Sequence, residues 1–135
     1  MNNLATKRPS ERGSAGVKFA ITLVIIILTG HAGFNYIPTA YDAESLKSEM
    51  STAVLQGLAL PGKVNPVDNV KTRIQKAIVQ NNIPTDAIMD VKLNGNVLTA
   101  RVAYVKQVDI LPFGIYRYAY QFDHTATPSG FLLKQ

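Results

Sequence analysis

His31 is the residue best placed to do chemistry, because it stands in an apolar stretch among the small residues Gly30, Ala32 and Gly33. A histidine among glycines in a membrane helix can offer an axial imidazole to a flat macrocycle, haem or bacteriochlorophyll. The simpler interpretation places His31 near the outer membrane interface, hydrogen-bonded to water, headgroups or another helix. Gly30 and Gly33 also permit the close approach of another helix.

The second histidine, His124, adjoins Asp123 near the end of a predicted strand. Neighbouring strand residues point to opposite faces, so the two lack the geometry of a catalytic pair. Two distant histidines and no cysteine form no metal-ligand cluster, and the glycines match no phosphate-binding fingerprint. We therefore predict a protein that is not an enzyme, with no metal, no small-molecule substrate and no cofactor apart from the alternative at His31.

The element that must position His31 is the charge-free run Phe19–Gly30, whose apolar character continues to Ile37. As a helix, Phe19–Ile37 would rise about 28 Å, close to the roughly 30 Å hydrocarbon core of a bilayer. The sequence thus predicts a flexible tail (1–16), a transmembrane helix (17–37) and an α+β domain (38–135).

Charge predicts the orientation of this helix. Residues 1–18 carry four basic side chains against one acidic, a net charge of +3, whereas residues 38–135 carry ten against eight, a net charge of +2. Because basic flanks stay cytoplasmic, we expect a single-pass protein of the inner (cytoplasmic) membrane with a periplasmic domain. The nearly balanced domain gives no reason to expect nucleic acid as a partner.

Two alternatives to a retained anchor stand. The basic start, the apolar core and the small-x-small triplet Gly30-His31-Ala32 are also typical of a cleavable signal peptide. The order of tail, apolar helix and α+β domain is similar to that of type IV pilin-like proteins, with Gly13 or Gly16 in the place of the leader glycine. No glutamate stands five positions after either glycine, and Lys18 interrupts the start of the helix.

Two helices are predicted after the anchor. Pro38 is expected to kink or end the membrane helix, with Thr39 capping a new one that ends at Leu60-Pro61-Gly62. Asn65-Pro66-Val67-Asp68 is a strong start for the next, which ends at Asn81-Asn82. The apolar residues that recur at helical spacing are Leu46, Met50, Ala53, Val54, Gly57 and Leu58, then Val67, Val70, Ile74, Ala77 and Ile78.

Beyond Pro84 the apolar period becomes two, which predicts strands. Asn94-Gly95 is typical of a tight hairpin turn and would set Val91 against Leu98 and Met89 against Ala100. A strand to about Val108, a third from Tyr116, a loop from Thr125 and a short edge strand at Phe131–Leu133 complete the pattern. The fold class is thus α+β: a single transmembrane helix, then two helices packed on a three- to four-stranded antiparallel β-meander.

Two features of the sheet are candidate interaction surfaces. Tyr116, Tyr118, Tyr120 and Phe122 share one strand face, which fits either the core face of a covered sheet or a contact surface for protein or lipid headgroups. The loop Ile110-Leu111-Pro112-Phe113-Gly114-Ile115 is unusually apolar for a hairpin connection. It could cap the core, enter the bilayer surface or dock a partner.

Several short motifs resemble those of small bacterial single-pass envelope proteins that carry a domain of unknown function. They are the step Ile37-Pro38-Thr39-Ala40-Tyr41 after the anchor, the strand Val102-Ala103-Tyr104-Val105, and Leu111-Pro112-Phe113 before an aromatic strand. The resemblance implies an envelope location and a single span, with no activity attached. From it and from the residues we expect an accessory subunit of a larger membrane complex, whose partners are other integral-membrane subunits and the lipid bilayer. A pilin-like or secretion component and a pigment- or haem-binding subunit are the alternatives.

Overall fold

The computed structural model describes residues 12–59 and 65–128. They form two helices, a three-stranded antiparallel sheet and one 3-10 turn, which confirms the α+β prediction of a long apolar N-terminal helix, a second helix and a sheet. The predicted strand at Phe131–Leu133 lies outside the described residues. The elements are α1 (Arg12–Ala59), α2 (Pro66–Gln80), β1 (Ile88–Asn94), β2 (Val97–Asp109), a 3-10 turn (Pro112–Gly114) and β3 (Arg117–Ala126).

Helix α1 runs for 48 residues and passes through Pro38 without ending. The predicted break at Pro38 and the new helix capped by Thr39 are therefore wrong. A proline inside a helix removes one backbone hydrogen bond and costs about 3 kcal/mol, but α1 contacts the same sheet on both sides of this position. Buried Thr39 turns its hydroxyl back and donates to the carbonyl of Asn35 at 3.3 Å. Residues 12–16, assigned to the tail by the sequence, lie within α1.

Helix α2 begins as its sequence predicts. The side chain of Asn65 accepts a hydrogen bond from the backbone N–H of Val67 at 3.0 Å, Pro66 occupies the first turn, and Asp68 adds a favourable charge there. The helix ends at Gln80, where Asn81 caps it by donating its backbone N–H to the carbonyl of Ala77 at 2.9 Å.

The strands pair in the order β1-β2-β3. In the first hairpin Asn94 pairs with Val97, so Gly95 and Asn96 form the turn, and Gly95 adopts φ +61°. The expected partners are thus displaced: Val91 faces Ala100 and Met89 faces Val102. Because the displacement is two residues, the predicted apolar side chains still meet on one face.

One buried cluster joins the helices and one face of the sheet. Alternate residues of β2 from Leu98 to Tyr104 are buried in it, while Arg101, Val105 and Gln107 on the opposite face are exposed. Strand β3 ends at Ala126, so the loop predicted from Thr125 begins later than expected. The largest fully buried side chains are Leu46, Met50 and Val54 of α1, Val70 and Ile74 of α2, and Leu98 and Val102 of β2.

Candidate functional site

The first part of α1 exposes its apolar side chains. We call residues 17–37 the apolar half of α1 and residues 38–59 its domain half. From Leu23 to Ile27 the side chains are 46–62% exposed, although each is aliphatic. Over Ala15–Ala59 the helix contains an 18-residue window of mean hydropathy 1.9 that nothing in the described structure buries. By length and composition, this one described helix can cross a membrane.

His31 lies where the apolar half meets the sheet. Its Nδ1 is 3.4 Å from the carbonyl oxygen of Ile110, to which a protonated Nδ1 donates. On the next turn, the side-chain amide of Asn35 donates to the carbonyl of Asp109 at 2.9 Å and lies 3.3 Å from His31 Nδ1. The ring is half-buried between its own helix and the β2–β3 loop. We call His31, Asn35 and the 109–110 backbone the junction.

The sequence interpretation overlooked Asn35. The available signal is the spacing of His31, Asn35 and Thr39 at i, i+4 and i+8, which places three polar side chains on one face of an otherwise apolar helix. That face turns toward the sheet: Thr39 is buried, and Asn35 and His31 bond the end of β2. Ligation of a macrocycle by His31 stays a prediction, and any ligand would have to share the ring with these contacts.

Gly30 and Gly33 stand on parts of the helix that the sheet leaves open. A Cβ at Gly30 would meet nothing within 4 Å, and one at Gly33 would meet only Ile37 Cδ1 of the same helix, at 3.8 Å. Their predicted role in close helix contact therefore has no counterpart within the described chain. It stays a prediction about another molecule.

The aromatic residues of β3 divide between core and surface. Phe122 is buried and stacks on Tyr104 with ring centroids 4.9 Å apart, and Tyr120 is partly buried against the same core. Tyr118 is 43% exposed, and Tyr116, just before the strand, is 53% exposed. The core interpretation thus describes one end of the row, while a contact surface at the exposed end stays a prediction.

Tyr36 joins this row from α1. Its ring centroid lies 6.0 Å from that of Tyr120 and 6.2 Å from that of Tyr118, in edge-to-face and tilted arrangements. Burial and the neighbouring Tyr36 raise the pKa of Tyr120. Next to the junction, tyrosine side chains therefore pack between α1 and the sheet, and part of each side chain remains exposed.

The β2–β3 loop turns its largest side chain away from the molecule. Phe113 is 98% exposed and Ile115 is 73% exposed, whereas Ile110 and Leu111 are half-buried. Phe113 has φ +61°, a conformation that bulky residues rarely adopt. At the base of the loop, Arg117 Nε donates to Asp109 Oδ1 at 2.8 Å.

His124 and Asp123 diverge as predicted from their adjacency. Asp123 accepts two hydrogen bonds from Arg101, at 2.8 and 2.6 Å, and these bonds lower the pKa of its carboxyl group. The His124 ring lies on the other face, 6.3 Å from that of Phe122. Asp123 therefore orients the arginine, and the pair makes no catalytic contact.

A shallow polar groove of about 500 Å³ separates α1 from α2. Its charged residues are Glu49, Arg73 and Lys76, and the Arg73 guanidinium already donates to Gln56 and Asn69. Among the described residues, no three His, Cys, Asp or Glu side chains cluster as a metal site would require. Among its described lining residues, the groove therefore shows no pair of a nucleophile and a base.

Comparison of the chain with protein-family models, with curated proteins and with solved structures gives no match. The functional argument accordingly rests on the chain's own residues.

Proposed function

We propose that this protein is a non-enzymatic, membrane-anchored accessory subunit of a larger integral-membrane complex. The observation that carries the proposal is the opposite use of the two halves of α1. The apolar half exposes aliphatic side chains that water would not favour, and the domain half supplies core residues to a folded domain. A helix of this kind carries its domain to a bilayer and leaves a lateral surface open for other helices.

The orientation follows from charge. The net charge of +3 over residues 1–18 favours a cytoplasmic N-terminus, so the domain would lie in the periplasm of a bacterium, with the helix in the inner membrane. The resemblance to small bacterial envelope proteins agrees with this arrangement.

The chain contains no cysteine, so single-cysteine variants can test the topology. We would label Val79→Cys, an exposed position on α2, and Ser10→Cys in intact spheroplasts with a membrane-impermeant maleimide. We expect Val79→Cys to react at once and Ser10→Cys to react only after permeabilisation. The reverse pattern would contradict the proposed orientation, and extraction of the protein by alkaline carbonate would contradict the span itself.

The accessory role is tested by purification in mild detergent followed by mass spectrometry of the co-purifying proteins. We expect a defined set of integral-membrane proteins to co-purify. Gly30→Leu should weaken their association with this chain if the open surface around Gly30 contacts another helix. Val79→Leu, which alters an exposed position far from the span, serves as the control. A monomer with no membrane protein attached would contradict the accessory role.

A pilin-like component is the second candidate, favoured by the unbroken course of α1 from the apolar half into the domain. In such a protein the leader would be removed after Gly13 or Gly16. The intact mass of the native protein separates the two candidates: cleavage after Gly13 or Gly16 supports the pilin-like function, and an unprocessed N-terminus excludes it.

A further inference from the structure

The β2–β3 loop points toward the membrane end of α1. Three contacts give the direction of β2 along the helix: Lys106 pairs with Asp42 at 3.5 Å, the carbonyl of Asp109 bonds Asn35, and the carbonyl of Ile110 meets His31. As the chain advances from Lys106 in β2 to Ile110 in the loop, its partners on α1 move back from Asp42 to His31. The tip of the loop therefore lies beside His31 or nearer the N-terminal end of the apolar half.

The part of α1 beside the loop tip lies within the membrane span proposed above, and the present inference rests on that span. If the span ends at Ile37, then Asn35 and His31 stand about 3 and 9 Å on the bilayer side of its outer end, at 1.5 Å per residue. The loop beside them would reach the outer-leaflet interface. The Asp109–Arg117 pair at its base would lie nearer the headgroups, where charges remain solvated.

The loop has the composition that such a depth requires. No charged residue stands between Asp109 and Arg117, Phe113 is almost completely exposed, and Ile115 is about three-quarters exposed. Among the described residues, none of 110–115 belongs to the buried core, so capping the core does not explain the apolar sequence.

The loop also satisfies part of its backbone internally. The N–H groups of Ile110 and Leu111 donate to the carbonyl of Tyr116 at 3.1 and 3.2 Å, and that of Ile115 donates to Pro112 at 3.4 Å. Pro112 has no N–H to satisfy. Internal pairing of this kind suits a segment that leaves water, because unpaired backbone groups are costly in lipid.

Three exposed tyrosines lie near the base of the loop. Tyr36 of α1, Tyr116 just before β3 and Tyr118 of β3 are all exposed by more than a third, and the rings of Tyr36 and Tyr118 are neighbours. Tyrosine is enriched at membrane interfaces, where its ring meets the acyl chains and its hydroxyl meets the headgroups. The loop tip and the tyrosines thus form one continuous surface with the apolar half of α1.

We propose that the β2–β3 loop is a second membrane contact, in which Phe113 and Ile115 insert into the outer-leaflet interface beside α1. Phe113 combines a positive φ with almost complete exposure, so its ring is free of contacts within the hairpin and available for insertion. With the loop inserted, the domain has two attachments to the bilayer, and its rotation about the helix axis is restricted.

The chain contains no tryptophan, so Phe113→Trp places a single fluorophore at the loop tip. The full chain is reconstituted in vesicles of phosphatidylcholine and phosphatidylglycerol, with and without bromine at a shallow acyl position. We expect blue-shifted emission and strong loss of intensity in the brominated vesicles. Val79→Trp, exposed on α2, should emit at longer wavelength and keep its intensity.

Ile26→Trp, in the middle of the apolar half, separates this inference from the proposed span. Quenching of Ile26→Trp without quenching of Phe113→Trp would overturn the loop contact and leave the span intact. If neither is quenched, the span itself is wrong. If Phe113→Trp is unquenched in lipid vesicles but blue-shifted in native membranes, the loop contacts a protein and the proposal of a lipid contact is overturned.

Discussion

The two halves of α1 use apolar residues in opposite ways. In the domain half, Leu46 and Met50 are fully buried and face the other elements of the domain. In the apolar half, Leu23 to Ile27 expose about half of each side chain. The apolar residues of the domain half are buried within the chain, whereas those of the apolar half are not covered by any described residue. One continuous helix thus combines a half that builds the domain core with a half that is long and apolar enough to cross a membrane.

Leu46→Ala should produce the largest effect, because Leu46 is fully buried among both helices and the sheet. Loss of its side chain is expected to lower the free energy of unfolding by about 2–5 kcal/mol. Leu55→Ala, at a half-exposed position on the same helix, should change it by less than about 0.5 kcal/mol. Urea unfolding in mild detergent, followed by circular dichroism, measures both. Equal losses would mean that the domain half is not the core element described above.

Ile26→Lys tests the other half. A lysine at the centre of a span opposes insertion by about 3 kcal/mol on biological scales. Val79→Lys, an exposed position on α2, is expected to have no effect on insertion. A glycosylation-based insertion assay gives the apparent free energy for each variant. An unchanged value for Ile26→Lys would place this residue outside the membrane.

Gly57 and Gly30 lie in different halves of α1 and allow the packing around the two halves to be compared. A Cβ at Gly57 would clash with Val70 Cγ2 and lie 2.9 Å from Leu98 Cδ2, whereas one at Gly30 would meet nothing within 4 Å. Gly57→Ala should therefore destabilise the domain by about 1–3 kcal/mol through overpacking. Gly30→Ala should leave the isolated protein unharmed. Thermal unfolding compares them, and a destabilised Gly30→Ala would contradict the open surface.

Tyr104 should give the smallest effect at neutral pH. Among the described residues its buried hydroxyl finds no hydrogen-bond partner, so Tyr104→Phe is expected to change stability by less than about 1 kcal/mol. Burial, with smaller contributions from Tyr120 and Asp42, raises the pKa of Tyr104 from 10 to about 12.

Between those two values the unfolded chain binds fewer protons than the folded one, so stability falls as the pH rises from 10 to about 12. In Tyr104→Phe this dependence should be weaker. Urea unfolding across that pH range checks the difference, and identical slopes would show that the hydroxyl is accessible to water.

Local signals in the sequence were sufficient for much of the fold. Helix α2 begins at Asn65-Pro66 because capping and proline geometry act over a few residues, and alternating apolar residues located the strands. The observed register of the first hairpin differs from the predicted one because Asn94 and Asn96 flank Gly95 symmetrically, so that Asn94-Gly95 and Gly95-Asn96 can both form the turn. Pairing along the whole of both strands determines which of them does. The path through Pro38 could not be predicted locally, since it depends on contacts with the sheet on both sides.

The candidate site was predicted only in part. His31, Tyr120 and the apolar loop were identified from their types, but the sequence separates His31 from Ile110 by 79 positions. Their contact is a property of how β2 lies along α1. The spacing of Asn35 from His31 and Thr39 was a usable signal, whereas the role of Tyr36 depends on the position of β3 and has no local signal.

Because α1 continues through Pro38, a movement of its apolar half is transmitted to the domain. At 1.5 Å per residue its 48 residues extend about 70 Å, and the domain is attached along the outer part of that length. Membrane helices tilt when the bilayer is thinner than their apolar segment. If α1 spans a bilayer as proposed, a change of its tilt would change the angle of the whole domain, so that membrane thickness would set the orientation of the domain relative to its surroundings.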